Sequence, residues 1–301
     1  MALDLEGARR AIKERVADRL GVSVEEAAWG IHQIANENMA NAARVHALER
    51  GKDPHRYPLF AFGGAGPVHA YRIALSLGVP ALLAPIGAGV ISAVGFLSAP
   101  LAFDFVRSWR ARLDALDWQK ASALFAEMEA EGRALLEASG VPAGAITHRR
   151  EADMRYVGQG HEIRVPLPAG QLDANQMPAL VAAFEGVYRE LYERLGPPVP
   201  IEILNWRVVS SGPQPDLRLQ VVSAGAGDAP SARKGERPAY FPETKGFAAT
   251  PIYDRYRLAP GATFEGPAIV EERESTVIVG PGARCHIDKQ YNLVVDLRVE
   301  N

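Results

Sequence analysis

Apolar positions recur along this chain with two different periods, and each marks a different kind of element. Between Leu5 and Leu20, Ala8, Ile12, Val16 and Leu20 fall at helical spacing among charged residues, which predicts an amphipathic helix ended by Gly21. Ser23 with Glu26 three residues on reads as a capping box. A long helix is then expected from about Val24 to Arg50, with Ala28, Ile31, Ile34, Ala35, Met39 and Ala42 on its apolar face and Gly51 as its C-cap. Asn36, Glu37, Asn38 and Asn41 crowd the same helix, as a solvated face or as one wall of a cleft. His32 and His46 are not at i, i+4 and make a poor metal-ligand pair.

The pattern changes at Leu59–Ala70, LFAFGGAGPVHA, around which the chain is organised. Leu59, Phe60, Ala61 and Phe62 are the apolar run of a buried strand. Gly63, Gly64 and Gly66 let the backbone turn sharply and a ligand approach the main chain. Pro67 suits the first turn of a helix, which continues through Tyr71, Ile73, Leu75 and Leu77 to Gly78. Val79–Leu83 makes a second apolar strand. A strand–glycine–helix unit either presents bare backbone and a helix N-terminus to a nucleotide or is a close-packed turn, and this one matches neither GxxxxGK[ST] nor GxGxxG. The loop Pro85–Gly89, with Gly87 and Gly89, leads into a helix of small residues, Val90–Ser98, which either packs tightly or carries part of a pocket.

Beyond Pro100 a strand (Phe103–Trp109) and an amphipathic helix (Asp117–Ser139) precede alternating segments at Ile146–Arg155 and His161–Leu167, a hairpin around Tyr156–Gly160. A helix over Met177–Leu195 and a strand over Ile201–Ser211 follow. Ser223–Glu236 has the composition of a linker. After it, short apolar runs at Ala268–Val270, Ser275–Val279, Arg284–Ile287 and Leu293–Leu297 are separated by Gly-Pro turns and predict a small β-rich domain. The organisation expected is thus an α/β part over residues 1–100, an α+β domain over 101–222, a linker over 223–236 and a β-rich C-terminal domain over 237–301.

Composition narrows the classes. Apolar residues make up 48% of the 301 and charged residues 23%, which is the balance of a globular chain with ample core. A net charge of −3 gives no basic field to draw nucleic acid or a membrane surface. No apolar run reaches bilayer length. One cysteine, Cys285, excludes an internal disulfide and points to a reducing cytoplasm, and in a strand it reads as a buried thiol. Glu271, Glu272 and Glu274 read as an exposed acidic turn, with metal or substrate binding the alternative. No Ser-His-Asp order, paired-carboxylate spacing or Cys/His cluster singles out a catalytic residue.

The blocks GVSVEEAAWGIHQIANENMANAARVHALERGKDPHRYPLFAFGGAGPVHA, GVISAVGFLSAP, DMRYVGQGHEIRVPLP, PIYDRYRL and FEGPAIVEERESTVIVGPGA occur in an order that resembles the C-terminal part of the hydantoinase A / 5-oxoprolinase family. That family includes acetone and acetophenone carboxylase subunits. The resemblance implies a fold similar to the second lobe of the actin-like, ribonuclease-H-like ATPases. FAFGGAGPVHA would then be the adenosine motif, with Gly63, Gly64, Gly66 and Pro67 lining ATP and Asn38, Gly87 and Gly89 approaching it. Asp153, Arg155, Tyr156 and Gln159 form a polar run that would face substrate or a neighbouring subunit, or else be a structural hairpin with a paired Asp and Arg.

Family A subunits open with a first lobe bearing a phosphate loop and acidic ligands for Mg²⁺, and nothing like it occurs in this sequence. The resemblance therefore implies half of a split or truncated A subunit, with little ATPase activity alone and completed by a chain carrying the first lobe and by a B-type subunit. The reaction implied is ATP-dependent hydrolysis of a cyclic amide. ATP-dependent carboxylation of a ketone, or a non-catalytic assembly role, are the alternatives.

Overall fold

The computed structural model describes residues 3–170, 172–196, 198–216 and 227–297. The first helix, α1 (Leu5–Ile12), is capped by Asp4, whose carboxylate accepts from the Gly7 N–H at 2.8 Å. It passes through a wide turn at Lys13–Ala17 into a last turn, α2 (Asp18–Leu20), which Gly21 ends in the left-handed conformation. The Ser23–Glu26 box closes in both directions, at 2.9 and 3.2 Å, and starts α3 (Val24–Glu49).

Then come β1 (Leu59–Phe60), α4 (Gly66–Leu77), β2 (Ala81–Ala84), α5 (Ile91–Ser98), β3 (Ala102–Arg112), α6 (Trp118–Ala138), β4 (Thr147–Tyr156), β5 (Ile163–Leu167), α7 (Met177–Tyr192) and β6 (Ile201–Ser211). The last stretch holds a short helix α8 (Ala229–Ala232) and the strands β7 (Arg233–Phe241), β8 (Gly246–Asp254), β9 (Thr263–Glu265), β10 (Ala268–Glu271), β11 (Thr276–Val279), β12 (Arg284–Ile287) and β13 (Leu293–Asp296).

These elements fall into two compact units, residues 3–95 with 227–297, and residues 96–216. In the first, β1 and β2 are parallel and α4 is the crossover that parallel neighbours need. They extend into a five-stranded sheet of order β1-β2-β13-β12-β9, and a second sheet runs β11-β10-β8-β7. Tyr71 and Ala74 of α4 share one core with Leu82, Val277, Val279, Ile287, Leu293 and Val295. In the second unit a sheet of order β3-β6-β4-β5 buries Ala152, Met154, Ile203, Trp206 and Val208 against Phe125 and Met128 of α6 and Leu180 and Phe184 of α7.

Several expectations from the sequence are corrected. The C-terminal strands do not form a domain of their own, because β13 pairs antiparallel with β2, Leu293 opposite Ala84 and Val295 opposite Leu82. Cys285, Ile287, Leu293 and Val295 have an apolar face to bury, and the β2–α4 layer supplies its other side. Of the expected linker, residues 223–226 lie outside the described residues, while the remainder forms α8 and the start of β7. The first strand is two residues long, at the sheet edge, with Phe60 and Phe62 half exposed. Helix α3 buries Ala27, Asn36 and Ala40, small enough for close approach, and leaves Ile31, Ile34 and Met39 exposed. None of the residues of α5 is buried. Among the described residues, no helix is long and apolar enough to cross a membrane.

Candidate functional site

Because β1 and β2 are parallel, the loops that follow them leave the same edge of the sheet, the position where open α/β sheets hold ligands. The first loop is the glycine turn. Ala61 N–H still donates to Leu83 O at 2.8 Å, and the chain then turns at Gly63, whose φ of 90° suits glycine. Gly63 N–H donates to Ala88 O at 2.8 Å, which ties the first loop to the second. Gly64 and Gly66 are exposed, and a side chain added at Gly63 or Gly66 would meet nothing within 4 Å. Pro67, buried, stands in the first turn of α4 as expected.

The third wall comes from the far end of the chain. The turn after β10 closes with Glu272 N–H donating to Ser275 O at 2.9 Å. Glu272, whose side chain is 3% exposed, accepts through Oε1 from the Gly87 N–H at 3.2 Å, also from the Ala88 N–H, and through Oε2 from the Ser275 hydroxyl at 3.2 Å. Arg255, fully buried, lies behind it with Nε 3.7 Å from Oε1 and donates through Nη2 to Tyr291 O. Burial raises the Glu272 carboxyl above the ordinary glutamate value, although Arg255 and the Gly87 N–H pull it down. The backbone of Glu274 touches both loops: an added Cβ would lie 2.7 Å from its carbonyl at Gly89 and 3.5 Å from it at Gly64.

The acidic turn is therefore not a solvated cluster. Glu272 latches the Gly87–Gly89 loop, Glu271 binds Lys234 at 2.8 Å, and Glu274 accepts from the Tyr256 hydroxyl at 3.3 Å. The structure brings Gly63, Gly64, Gly66, Pro67, Gly87 and Gly89 together. It does not bring Asn38 to them: Asn38 is exposed, nearly half a helical turn beyond the face of α3 that packs on α4. The asparagine in that packed face is Asn36, 2% exposed, whose Oδ1 bonds His69 Nδ1 at 2.7 Å and whose Nδ2 has no partner among the described residues. His69 stacks on His32, centroids 4.8 Å apart. Burial, His69 and Arg72 hold His32 below the ordinary histidine value.

Elsewhere in this unit an apolar hollow of about 370 Å³ is walled by Leu5, Trp29, Tyr71 and Phe247, where α1 and α3 meet the β7–β8 hairpin. Cys285 is buried, its thiol pushed up to about 12, and is inert as a nucleophile. Among the described residues no group of three or more His, Cys, Asp or Glu could hold a metal ion.

In the second unit the polar run divides between the two faces of one sheet. Asp153 accepts from Asn205 Nδ2 at 2.9 Å and Arg207 Nε at 3.0 Å, and Arg155 Nε donates to Glu202 at 2.8 Å. Asp153 and Arg155 thus each take a partner on β6 and not one another. Tyr156 lies on the helix side, edge-on to Phe184 and Tyr188 at 4.9 and 5.1 Å. Gln159 closes the turn by accepting from the Tyr156 N–H at 3.3 Å.

Two family models match the chain, one described as Hydantoinase/oxoprolinase over residues 1–105 and one as Hydantoinase/oxoprolinase C-terminal domain over residues 114–295. The chain is similar to an uncharacterised protein of Methanocaldococcus jannaschii, 34% identical over 94% of this chain and 39% of that one. Among solved structures it is similar to nucleotide-free acetone carboxylase, from work on ATP-dependent acetone carboxylation, with a TM-score of 0.71, 25% identity, and 98% of this chain and 43% of that chain covered. It is also similar to the ATP-dependent caprolactamase from Pseudomonas jessenii, with a TM-score of 0.70, 28% identity and the same coverage of 98% and 43%. The chain spans about two fifths of the length of these relatives.

Proposed function

This chain belongs to the hydantoinase/oxoprolinase family, and on that premise we propose that it forms the adenosine side of the ATP cleft in a subunit of an ATP-dependent cyclic-amide hydrolase. The observation that carries the reading is the meeting of three segments. Bare backbone at Gly63–Gly66 leaves the C-terminal end of β1 beside the Gly87–Gly89 loop, and both face the Glu272–Ser275 turn. The exposed glycines have room for a ring or a sugar, and the Gly66 N–H at the start of α4 lies at the same place.

The residues fit the adenosine end of a nucleotide better than its phosphates. The N–H groups of Gly87 and Ala88 are taken by Glu272, so that loop contributes surface and not donors. Bound ATP would supply the phosphoryl group that activates the amide carbonyl. The parts that hold that group and Mg²⁺ are proposed to lie on a first lobe, on the same or another polypeptide, in a complex with a B-type subunit. In this organisation the described part alone turns over ATP poorly.

The two structural relatives are named for ATP-dependent reactions on unlike substrates, a lactam and a ketone. A region similar to both over nearly its whole length suits the shared reagent better than either substrate. The same likeness favours a second reading, a ketone carboxylase subunit with an identical role for this region.

Affinity purification from the native cell, with mass spectrometry of the co-purifying chains, should recover a first lobe and a B-type subunit. In that complex ATP should slow hydrogen exchange at residues 61–66 and 85–90, and Gly64→Trp should weaken ATP binding. Unchanged exchange together with unchanged affinity refutes the adenosine assignment. Recovery of this chain alone, without nucleotide binding, leaves an assembly role.

A further inference from the structure

Ile31, Ile34, Asn38, Asn41, Val45 and Leu48 of α3 follow one another at alternating steps of three and four, the spacing of a helix-pairing seam. All six are exposed, the apolar four by 47, 65, 54 and 63% of their surface, on the side of α3 away from buried Asn36 and Ala40, with buried Ala27 one turn before Ile31 marking the N-terminal end of the stripe. The stripe reads the same from both ends: two apolar residues, two asparagines, two apolar residues. Laid antiparallel on an identical helix about its midpoint, it sets Ile31 against Leu48, Ile34 against Val45 and Asn38 against Asn41.

Both flanks agree with that register. On one side Glu37 comes opposite Arg44 of the other copy, which pairs opposite charges twice across a two-fold axis. On the other side Ala35 comes opposite Ala42, and small side chains let the backbones approach. Glu37 and Arg44 are held in place within each chain, Glu37 accepting from the Ser76 hydroxyl at 2.6 Å and Arg44 donating to Ser76 O at 2.9 Å. A parallel, in-register pair would bring Glu37 to Ala42 and leave the charges without each other. A slip of one heptad would bury the asparagines against isoleucines in one direction and against leucine and valine in the other, with their amides unsatisfied.

We propose that α3 is a self-complementary docking surface whose occupant is the α3 of a second copy of this chain, in an isologous two-fold dimer. The inference stands apart from the nucleotide assignment. The seam is about 26 Å long at 1.5 Å per residue, small for a specific interface, so association should depend on protein concentration.

Sedimentation velocity over a concentration series tests it. The protein should reach twice the 32.5 kDa chain mass, and Ile34→Asp with Val45→Asp should remain at one chain mass with an unchanged circular dichroism spectrum. Glu37→Arg should weaken the dimer about tenfold, and adding Arg44→Glu should restore it. Oxidising a mixture of the Ile31→Cys and Leu48→Cys proteins should give the mixed disulfide dimer, and the native thiol does not interfere because Cys285 is buried. A wild-type monomer at every concentration overturns the proposal. So does a dimer that survives the aspartate pair, a charge reversal without rescue, or Ile31→Cys protein that crosslinks only to itself.

Discussion

Glycine is required at position 89 by contact and not by backbone conformation. A Cβ there would lie 2.5 Å from the Glu274 Cβ and 2.7 Å from the Glu274 carbonyl carbon and oxygen. Carbon atoms rest about 3.5–4 Å apart, so Gly89→Ala must part the loop from the turn by roughly 1 Å. Most of the obstacle is backbone and cannot rotate away. Glu272 ties the same two segments together through the Gly87 N–H, so the movement also strains that bond. Overpacking of this kind costs about 1–3 kcal/mol, and alanine returns roughly 0.4–1 kcal/mol by restricting the unfolded chain. The net loss is about 1–2 kcal/mol, which for a unit of this size lowers its melting temperature by about 2–8 °C. Differential scanning calorimetry reads the shift, and hydrogen exchange of peptides covering 85–90 and 272–275 assigns it. Gly64→Ala is the control, since its added methyl meets the Glu274 carbonyl at an ordinary 3.5 Å. Equal melting of Gly89→Ala and wild type, or a greater loss for Gly64→Ala, would refute the reasoning.

In the second unit, Gly132→Ala should cost about 1–3 kcal/mol because its methyl would fall 2.1 Å from Ser210 Oγ, and Ser210→Gly should recover most of the loss in the same melt. Burial raises the Glu202 carboxyl, but bonds from Arg110 and Arg155 outweigh it and hold the group below the ordinary glutamate value. Its stabilising contribution is therefore present above the unfolded value and lost as pH falls through the lowered one; a urea-denaturation series in acid should show that loss in wild type and not in Glu202→Gln. Ser23→Ala should cost about 1 kcal/mol and fray the start of α3, seen as faster exchange in its first turn. Cys285 should react with a thiol reagent no faster than the protein unfolds, and rapid labelling in native buffer would contradict its burial.

What could be read from the sequence was local. The Ser23–Glu26 box, Gly21 as a helix stop and the βα turn at Gly63–Pro67 depend on residues within a few positions of one another, and all three form. The faces of α3 could not be read that way. Hydrophobicity assigns Ile31 and Ile34 to the interior, but α4 approaches α3 closely and selects Asn36 and Ala40 there. Asn36 is buried because His69 satisfies its Oδ1, a partner 33 residues away in sequence. The strand run of Asp153 and Arg155 suggested a mutual pair, yet register with β6 gives Arg207 and Glu202 as the partners.

The glycine-rich loops show the same limit at the candidate site. A sequence marks where backbone is bare, because glycine has no side chain to cover it. It does not mark which N–H groups remain open. At Gly87 the answer comes from Glu272, 185 residues further on, which occupies the place an anion would take. At Gly63 it comes from Ala88 O, which accepts that N–H. Pro67 has no N–H and Val68 N–H donates to Ala65 O at 3.2 Å, so the donors without a bond of this kind on the turn are those of Gly64, Ala65 and Gly66, beside glycines with open space above them. That distribution favours a ligand that lies along the turn by surface contact with few hydrogen bonds, as a nucleoside does, over a phosphate, which needs several convergent N–H groups.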